Sequence, residues 1–255
     1  MTITIPLSEN EIHLWTIDPK QVKLTQGLQG LLSHAESEKV DRYRNDTAKH
    51  TALVTRIFIR LLLSEYATLL PADWQFTISK LGKPELYQAP LPLRFNLSHN
   101  DELIVCALCL DKDIGCDIEN RFRTVNVNAI VKRFFSRQEA QRIIAAPTRF
   151  FEYWTLKEAF VKATGLGISQ GLDTFSFEVK EAHTSHFNDN INLSFVPKEE
   201  LTSKQQSPED CYQALLFPDD KHCIGLSVHG QQNSDNKPTI RLISNQKSKQ
   251  LFDSY

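Results

Sequence analysis

Strand-like and helical patterns of hydrophobic residues follow one another twice along the chain, in the same order. In the first part, a strand-like alternation over residues 11–18 precedes a helical stretch from about Leu28. An amphipathic helix is predicted over residues 50–70, where Pro71 ends it. Strand patterns then follow at residues 74–80, 93–99, 103–110 and 113–119.

The second part repeats this order. Helical patterns cover residues 128–146 and 150–165, and strand patterns cover residues 173–180, 191–197, 211–217 and 223–229. The repeat predicts an α+β fold with two related halves, residues 1–118 and 119–230. Residues 231–255 are polar and poor in core residues, so we expect a flexible surface tail with one short strand at 239–244.

Charge and composition exclude several classes of function. The 255 residues contain 29 Lys and Arg against 31 Asp and Glu, so no global positive field attracts nucleic acid or a membrane surface. The chain begins without a secretory signal and contains no apolar run of membrane-spanning length, which predicts a cytoplasmic location. Among the five cysteines, Cys106 and Cys109 lie three residues apart on a predicted strand, so they should be buried on opposite faces.

Asp117 and Glu119 form the first candidate site. On a strand, both carboxylates share one face while Ile118 points to the other. Two such carboxylates in apolar surroundings either have a raised pKa or require a cation. Mg²⁺ fits this arrangement, because it binds carboxylates together with substrate phosphates and water. The alternative is a solvated strand end without function.

The predicted helix 150–165 adds a third carboxylate. Trp154, Glu158 and Lys162 are spaced by four residues and form one stripe, while aromatic and aliphatic residues make the rest of the helix apolar. A largely buried helix would place Glu158 in a cleft. If the stripe were exposed, Glu158 and Lys162 would form an ordinary helix pair that stabilises by only about 0.3–0.5 kcal/mol.

Two further polar groups can face the same cleft. Ser98 and His99 end an apolar strand, but no nucleophile-elbow motif accompanies the serine. Lys83 lies in a Gly-Lys-Pro turn that would fix its direction. Because the chain has no glycine-rich phosphate loop, a nucleotide-like ligand would have to be held by scattered lysines, a histidine and a metal.

Five segments in this order resemble a known family: "GKPEL", "FNLSHN", "IGCDIE", "RFFSRQE" and "WTLKEAFVKATGLGI". Over about residues 38–177, the chain resembles the large, surfactin-synthetase-activating type of 4′-phosphopantetheinyl transferase. The resemblance implies a pseudo-dimer of two similar α/β halves, each a small, mainly antiparallel sheet packed with a long helix. Coenzyme A would bind in the cleft between the halves.

The resemblance also implies an activity. The 4′-phosphopantetheine arm of coenzyme A would pass, with Mg²⁺, to a serine hydroxyl of an apo carrier protein, releasing adenosine 3′,5′-bisphosphate. The carrier could belong to an acyl, peptidyl, polyketide or polyunsaturated fatty acid synthase. Such a pseudo-dimer has no need to oligomerise, so we expect a monomer.

Site residues follow from the matching positions. The resemblance implies metal ligands at Asp117, Glu119 and Glu158. It implies catalytic roles for Glu158, Lys162 and Glu139, with the serine proton going to Glu158, to a metal-bound water, or to Glu139 through water. The residues implied to hold the coenzyme are Lys83, Ser98, His99, Lys157, Lys162, Lys39 and Lys49.

The sequence departs from the family at one position. Thr51 stands where the family often has an arginine that contacts the coenzyme's 3′-phosphate. The candidates to replace that arginine are Lys49, His50 and Arg56 nearby, and Lys39, Arg42 and Arg44 upstream.

Two other functions use the same residues. A metal-dependent phosphodiesterase or nuclease also uses clustered carboxylates and a lysine, although a basic stripe is missing. A non-catalytic module that binds coenzyme A or a carrier protein would need a decayed site. For a carrier, the sequence predicts docking around Asn120–Phe135, where Arg121, Arg123 and Lys132 could meet an acidic helix.

Overall fold

We analysed a computed structural model, which describes residues 5–80, 82–165, 171–180, 187, 190–195, 210–230 and 237–255. The elements up to residue 110 are β1 (Glu11–Ile17), α1 (Gln26–Gln29), α2 (His34–Asp41), α3 (Asp46–Leu63), β2 (Gln75–Ile78), β3 (Pro84–Tyr87), β4 (Leu93–His99) and β5 (Ile104–Leu110). The later elements are β6 (Asp113–Asn120), α4 (Val127–Phe134), α5 (Arg137–Ala145), α6 (Phe150–Thr164), β7 (Phe175–Val179), β8 (Ile191–Phe195), β9 (Cys211–Leu216), β10 (His222–His229), β11 (Thr239–Ile243) and α7 (Asn245–Asp253).

The first half is a sheet of four strands in the order β11-β1-β5-β4, covered by the long helix α3. The pairs of β5 with β1 and with β4 are antiparallel. The apolar face of α3 packs on one side of the sheet, where Trp15 and Phe58 are fully buried. The hairpin β2-β3 packs at the edge of this core through Phe76 and Leu86.

The second half is a sheet of three antiparallel strands in the order β6-β10-β9, covered by α6. Helices α4 and α5 and the hairpin β7-β8 complete its core around Phe160, Phe175 and Phe177. The outer faces of both sheets meet in a third apolar cluster, in which Leu14 and Val105 belong to the first sheet and Ile118 and Ile224 to the second. This arrangement confirms the predicted α+β fold of two halves that are each a small sheet with a long helix.

The sheets divide slightly earlier than the sequence predicts. β5 ends at Leu110 in the first sheet, and β6 begins at Asp113 in the second, before the predicted boundary at residue 118. The buried thiols of Cys106 and Cys109 lie in different apolar clusters, so the two cysteines do point to opposite faces of β5.

The C-terminal segment corrects another prediction. Over residues 237–255 the chain is not a flexible surface tail, because β11 pairs in parallel with β1 and α7 packs against α3. Phe252 is 5% exposed, and its ring stacks on Phe58 with the centroids 6.2 Å apart. The end of the chain therefore returns to the first half, and the predicted strand at 239–244 is confirmed as β11.

Two predicted helix limits also differ. The predicted helix 128–146 is two helices, because the Ser136 hydroxyl accepts from the Glu139 amide and the Glu139 carboxylate accepts from the Ser136 amide. This capping box starts a new helix, and its Ser-x-x-Glu signature is visible in the sequence. Helix α3 ends at Leu63 rather than at residue 70. Among the described residues, no helix is both long and apolar enough to cross a membrane.

Candidate active site

Two glycines position α6 against its sheet. A Cβ atom on Gly115 of β6 would lie 2.0 Å from the backbone oxygen of Ala159, and one on Gly225 of β10 would lie 2.3 Å from that of Thr155. Since no side chain can occupy either space, the backbone of α6 lies directly on the two strands. This close approach brings the residues of α6 beside the carboxylates of β6.

The predicted stripe on α6 is confirmed by burial. Between residues 150 and 163, every side chain is buried except those of Trp154, Glu158 and Lys162, which are half-buried. The stripe therefore faces a cleft rather than open solvent. The rings of Phe134, Phe135 and Phe150 surround Trp154 with centroids 6.0–6.2 Å away.

Asp117 and Lys162 form the centre of the site. The Nζ atom of Lys162 donates to Asp117 Oδ1 at 2.7 Å and to Ser98 Oγ at 3.1 Å. It also donates to the backbone oxygen of Cys116 at 3.2 Å, which uses the third ammonium hydrogen. Burial lowers the pKa of Lys162, but Asp117, Cys116 and Glu158 together outweigh burial and the net pKa is raised. Lys162 therefore stays charged.

Asp117 keeps one oxygen available. Its Oδ1 atom also accepts from Ser98 Oγ at 2.8 Å, whereas Oδ2 is buried with no hydrogen-bond partner. Glu158 resembles it, because its Oε1 atom is also buried without a partner. Burial, followed by the charge of Asp117, raises the pKa of Glu158. Asp117 Oδ2 and Glu158 Oε1 are therefore two acceptor positions that a bound cation would satisfy.

Glu119 completes the set but faces a different cation. Its Oε1 atom lies 2.9 Å from an NH2 nitrogen of Arg123. Burial and the neighbouring Asp117 raise the pKa of Glu119 to about 7, although Arg123 and Lys162 act in the opposite direction. Within the described part of the chain, no three Asp, Glu, His or Cys side chains are already arranged to hold a metal ion. The three carboxylates are thus neighbours but not a preassembled metal shell.

Ser98 and His99 lie at the end of β4, as the sequence predicts, and they border this cleft. Ser98 contacts both Asp117 and Lys162, while His99 is exposed. Partial burial of the His99 ring and the positive charges of Lys162 and Arg56 lower the pKa of His99. The side chains of Arg56, His99 and Lys162 are therefore near enough to one another to interact electrostatically, and we call them the basic group.

Lys83 connects the two elements that form the cleft. Its Nζ atom donates to the backbone oxygens of Ile114 in β6 at 3.1 Å and of Ala163 in α6 at 3.3 Å. Burial lowers the pKa of Lys83. Its ammonium group thus lies at the C-terminal end of α6, beside Ile114, which precedes Asp117 by three residues in β6.

Lys157 and Glu139 do not line the cleft, so the structure does not bring them together with the other predicted site residues. Both side chains are 0% exposed, and Lys157 Nζ lies 2.9 Å from Glu139 Oε2. The same ammonium group donates to the backbone oxygens of Leu172 and Phe175, and Glu139 Oε1 accepts from the amide of Phe177. The pair is a closed link between α5, α6 and β7 with no atom free for a ligand.

Lys39 and Lys49, two of the lysines predicted to hold the coenzyme, have no described contact with the three carboxylates. Lys49 pairs with Asp41 at 2.9 Å, and Lys39 is exposed on α2. Thr51 is 2% exposed, so an arginine would not fit its place without rearrangement. Of the basic residues considered as replacements, Arg56 is the one whose charge lowers the pKa of His99.

Sequence reasoning missed two contributors to the site. Asn96 of β4 accepts from the amide of Cys116 through Oδ1 at 2.9 Å, so a side chain joins the free edge of β6 to the first sheet. Arg123 was expected to face a carrier protein and instead binds Glu119. Its position four residues after Glu119 was the available signal, but such spacing pairs side chains regularly only on helices.

Comparison with known proteins identifies the family. Residues 113–225 match the 4′-phosphopantetheinyl transferase superfamily, and residues 14–110 match a 4′-phosphopantetheinyl transferase N-terminal family. The chain is 34% identical to the 4′-phosphopantetheinyl transferase HetI of Nostoc sp. over 235 residues, which cover 89% of this chain and 91% of HetI.

Two Bacillus proteins are similar over a shorter range. The chain is 33% identical to the 4′-phosphopantetheinyl transferase psf-1 of Bacillus pumilus over 67% of this chain and 74% of psf-1. It is 30% identical to the 4′-phosphopantetheinyl transferase Sfp of Bacillus subtilis over 59% of this chain and 67% of Sfp. With its two halves, its carboxylate cleft and these relatives, the chain belongs to the 4′-phosphopantetheinyl transferase superfamily as an enzyme of the Sfp type.

Proposed function

We propose that this transferase moves the 4′-phosphopantetheine arm of coenzyme A to a serine of an apo carrier protein, with Mg²⁺ bound by Asp117, Glu119 and Glu158. The observation that carries the proposal is the seating of α6 on Gly115 and Gly225, which places Glu158 and Lys162 beside Asp117. In the reaction, the serine oxygen forms a bond to the phosphorus that carries the pantetheine. The bond from that phosphorus to the bridging oxygen breaks, and adenosine 3′,5′-bisphosphate leaves.

The residues present fit a hard divalent cation. Asp117 Oδ2 and Glu158 Oε1 are buried without partners, and carboxylate oxygens are the ligands that Mg²⁺ prefers. When bound, the ion would neutralise charge on the pyrophosphate and on the leaving group. Glu119, whose Oε1 atom pairs with Arg123, would join Asp117 and Glu158 as the third ligand.

Lys162 supplies the second positive charge. Its ammonium group uses all three hydrogens on Asp117, Ser98 and the backbone of Cys116, so donating to a phosphate oxygen requires exchanging one of these bonds. Asp117, once its free oxygen held a cation, would need Lys162 less as a counter-ion, and Lys162 would then be available for this exchange. Phosphoryl transfer depends mainly on such positioning and charge stabilisation.

Glu158 is the protein group best placed to take the serine proton, directly or through water. Its Oε1 atom is buried in the cleft without a hydrogen-bond partner, so an acceptor position is available for that proton. Glu139 is withdrawn from this role because its side chain is 0% exposed.

The coenzyme would enter over the basic group formed by Arg56, His99 and Lys162. Since Thr51 is buried, we assign the binding of the coenzyme's 3′-phosphate to Arg56 and His99. Lys83 would join β6 to α6 at the side of the cleft formed by these two elements. Lys39 and Lys49 remain outside this arrangement. The assignment predicts that Arg56→Gln weakens the binding of coenzyme A more than the binding of dephospho-coenzyme A, which lacks the 3′-phosphate.

The carrier protein would dock beside Glu119. Phe122 is 72% exposed in the turn that follows β6, and Lys132 and Arg133 are exposed on α4. Arg121 and Arg123 are engaged within the chain, the first 3.8 Å from Glu152 and the second 2.9 Å from Glu119. Lys132→Glu should therefore raise the KM for an acidic carrier, and an unchanged KM would reject this surface.

We further propose that the protein acts as a cytoplasmic monomer without nucleic-acid or membrane partners. The apolar cluster between its two sheets already buries the surface that a two-fold dimer would share.

Intact-protein mass spectrometry tests the function. Wild-type protein with coenzyme A and Mg²⁺ should add phosphopantetheine to acyl or peptidyl apo carriers, and Glu158→Ala should abolish the mass gain. Glu38→Ala, a change at an exposed glutamate of α2, is the matched control and should keep the wild-type rate.

A normal rate for Glu158→Ala would reject the metal assignment. Coenzyme A binding without transfer to any carrier would favour a non-catalytic module. Metal-dependent cleavage of nucleic acid that Glu158→Ala removes would favour a nuclease.

A further inference from the structure

Arg123 binds Glu119, one of the three predicted metal ligands. The NH2 nitrogen of Arg123 lies 2.9 Å from Glu119 Oε1, and the side chains are 54% and 17% exposed, respectively. Asp117 has Lys162 as its counter-ion at 2.7 Å. Each strand carboxylate thus has its own cation within the chain.

The turn after β6 fixes where Arg123 lies. The amide of Phe122 donates to Asn120 Oδ1 at 2.9 Å, and the amide of Arg123 donates to the backbone oxygen of Asn120 at 3.1 Å. The guanidinium carbon of Arg123 lies 5.3 Å from the centroid of the Phe151 ring on α6. Arg123 is therefore seated across the start of α6 and is not a freely moving surface side chain.

The two cations differ in how easily they can leave. Lys162 is 29% exposed and donates three hydrogen bonds, whereas Arg123 is 54% exposed and its described polar side-chain contact is Glu119. A divalent ion placed between the carboxylates repels both cations. Arg123 can turn into solvent at lower cost, because solvent already covers half of its side chain.

We propose that Arg123 competes with the divalent metal for Glu119 and thereby sets the metal affinity of this transferase. The inference rests on the proposed function, because it takes Glu119 as a ligand. It explains why the three carboxylates are neighbours without forming a preassembled shell: the arginine holds the third one aside.

Removing this charge should tighten metal binding. A unit charge about 6 Å from a divalent ion, screened by water and salt, changes the dissociation constant by roughly 3- to 10-fold. Arg123→Gln should therefore bind metal several-fold more tightly than wild type. Arg123→Lys, which keeps the charge but loses the planar guanidinium, should lie between the two.

The probe is Mn²⁺ alone, titrated into the full chain without coenzyme A and followed by the electron paramagnetic resonance signal of free Mn²⁺. Arg137→Gln removes an exposed arginine on α5 and serves as the matched control, with the wild-type dissociation constant expected. Thermal melting in EDTA checks that each variant is folded. A structural defect would weaken Mn²⁺ binding, whereas the proposed competition predicts the opposite direction.

Glu119→Gln separates this proposal from the function on which it rests. If Glu119→Gln weakens Mn²⁺ binding but Arg123→Gln leaves it equal or weaker, the competition is refuted and the metal site stands. If Glu119→Gln leaves Mn²⁺ binding unchanged, Glu119 is not a ligand and both proposals fail. Tighter binding by Arg123→Gln together with weaker binding by Glu119→Gln supports both.

Discussion

The buried pair of Lys157 and Glu139 offers the sharpest test of the structural reading, because the sequence resemblance gives both residues a place near the reaction. Glu139→Gln removes one charge of the pair and keeps the size of the side chain. The Lys157 ammonium group would then remain 0% exposed without a counter-charge, among the carbonyl oxygens of Leu172 and Phe175 and the rings of Phe135 and Phe175.

The expected loss of stability is large. Breaking a buried ion pair by neutralising one partner costs about 3–5 kcal/mol, since the other charge stays buried without compensation. A protein of this kind is stable by only about 5–15 kcal/mol, so the variant should lose a large share of its stability. The double variant Glu139→Gln/Lys157→Met removes both charges and should recover most of this loss.

Urea unfolding followed by circular dichroism measures these differences. Glu178→Gln is the matched control, because its salt bridge with Arg142 is part-exposed and should be worth less than about 1 kcal/mol. Below the unfolding temperature, Glu139→Gln should keep the wild-type KM for coenzyme A. A Glu139→Gln variant as stable as wild type but without transfer activity would refute this reasoning and restore Glu139 to catalysis.

Three further predictions follow from the packing and the charges. Gly115→Ala should lower kcat at least about 10-fold by forcing α6 off its strand, since even a 1 Å misplacement can cost about 100-fold in rate. The control Gly27→Ala, whose added Cβ would lie 3.8 Å from its nearest atom, should keep the wild-type kcat. A wild-type kcat for Gly115→Ala would contradict the close approach. Mn²⁺ affinity should fall as the pH is lowered through about 7, because the pKa of Glu119 is raised to about 7 and its carboxyl group takes up a proton there. A constant affinity between pH 6 and 8 would argue against Glu119 as a metal ligand. Phe252→Ala should cost about 3–5 kcal/mol in urea unfolding and Leu242→Ala, at a 63% exposed position, less than about 0.5 kcal/mol; equal effects would mean that α7 does not belong to the core.

Sequence patterns alone located most of the strands and the polar stripe of α6. Alternation of period two located the strands that carry Ser98 and Asp117, and the spacing of Trp154, Glu158 and Lys162 identified the face of α6 that lines the cleft. These features are local, because a strand or helix fixes which side chains share a face whatever it packs against. The family motifs then connected the faces to an activity.

Only the tertiary structure decided which charges meet. Lys157 and Glu158 are neighbours on α6, yet one turns into the core to bind Glu139 of α5 and the other turns to the cleft. Adjacent positions on a helix point their side chains about a quarter turn apart, but the spacing does not show which element packs on either side.

The packing of residues 239–253 and the contact between Arg123 and Glu119 could not be predicted for the same reason. Residues 239–253 look like surface from their composition, but β1 has a free edge and α3 has an apolar patch that they cover. Arg123 meets Glu119 because the turn after β6 folds back onto α6. Such contacts depend on how elements approach each other in space. In this protein, Gly115 and Gly225 allow the close approach of α6 to β6 and β10 that brings Glu158 and Lys162 to Asp117.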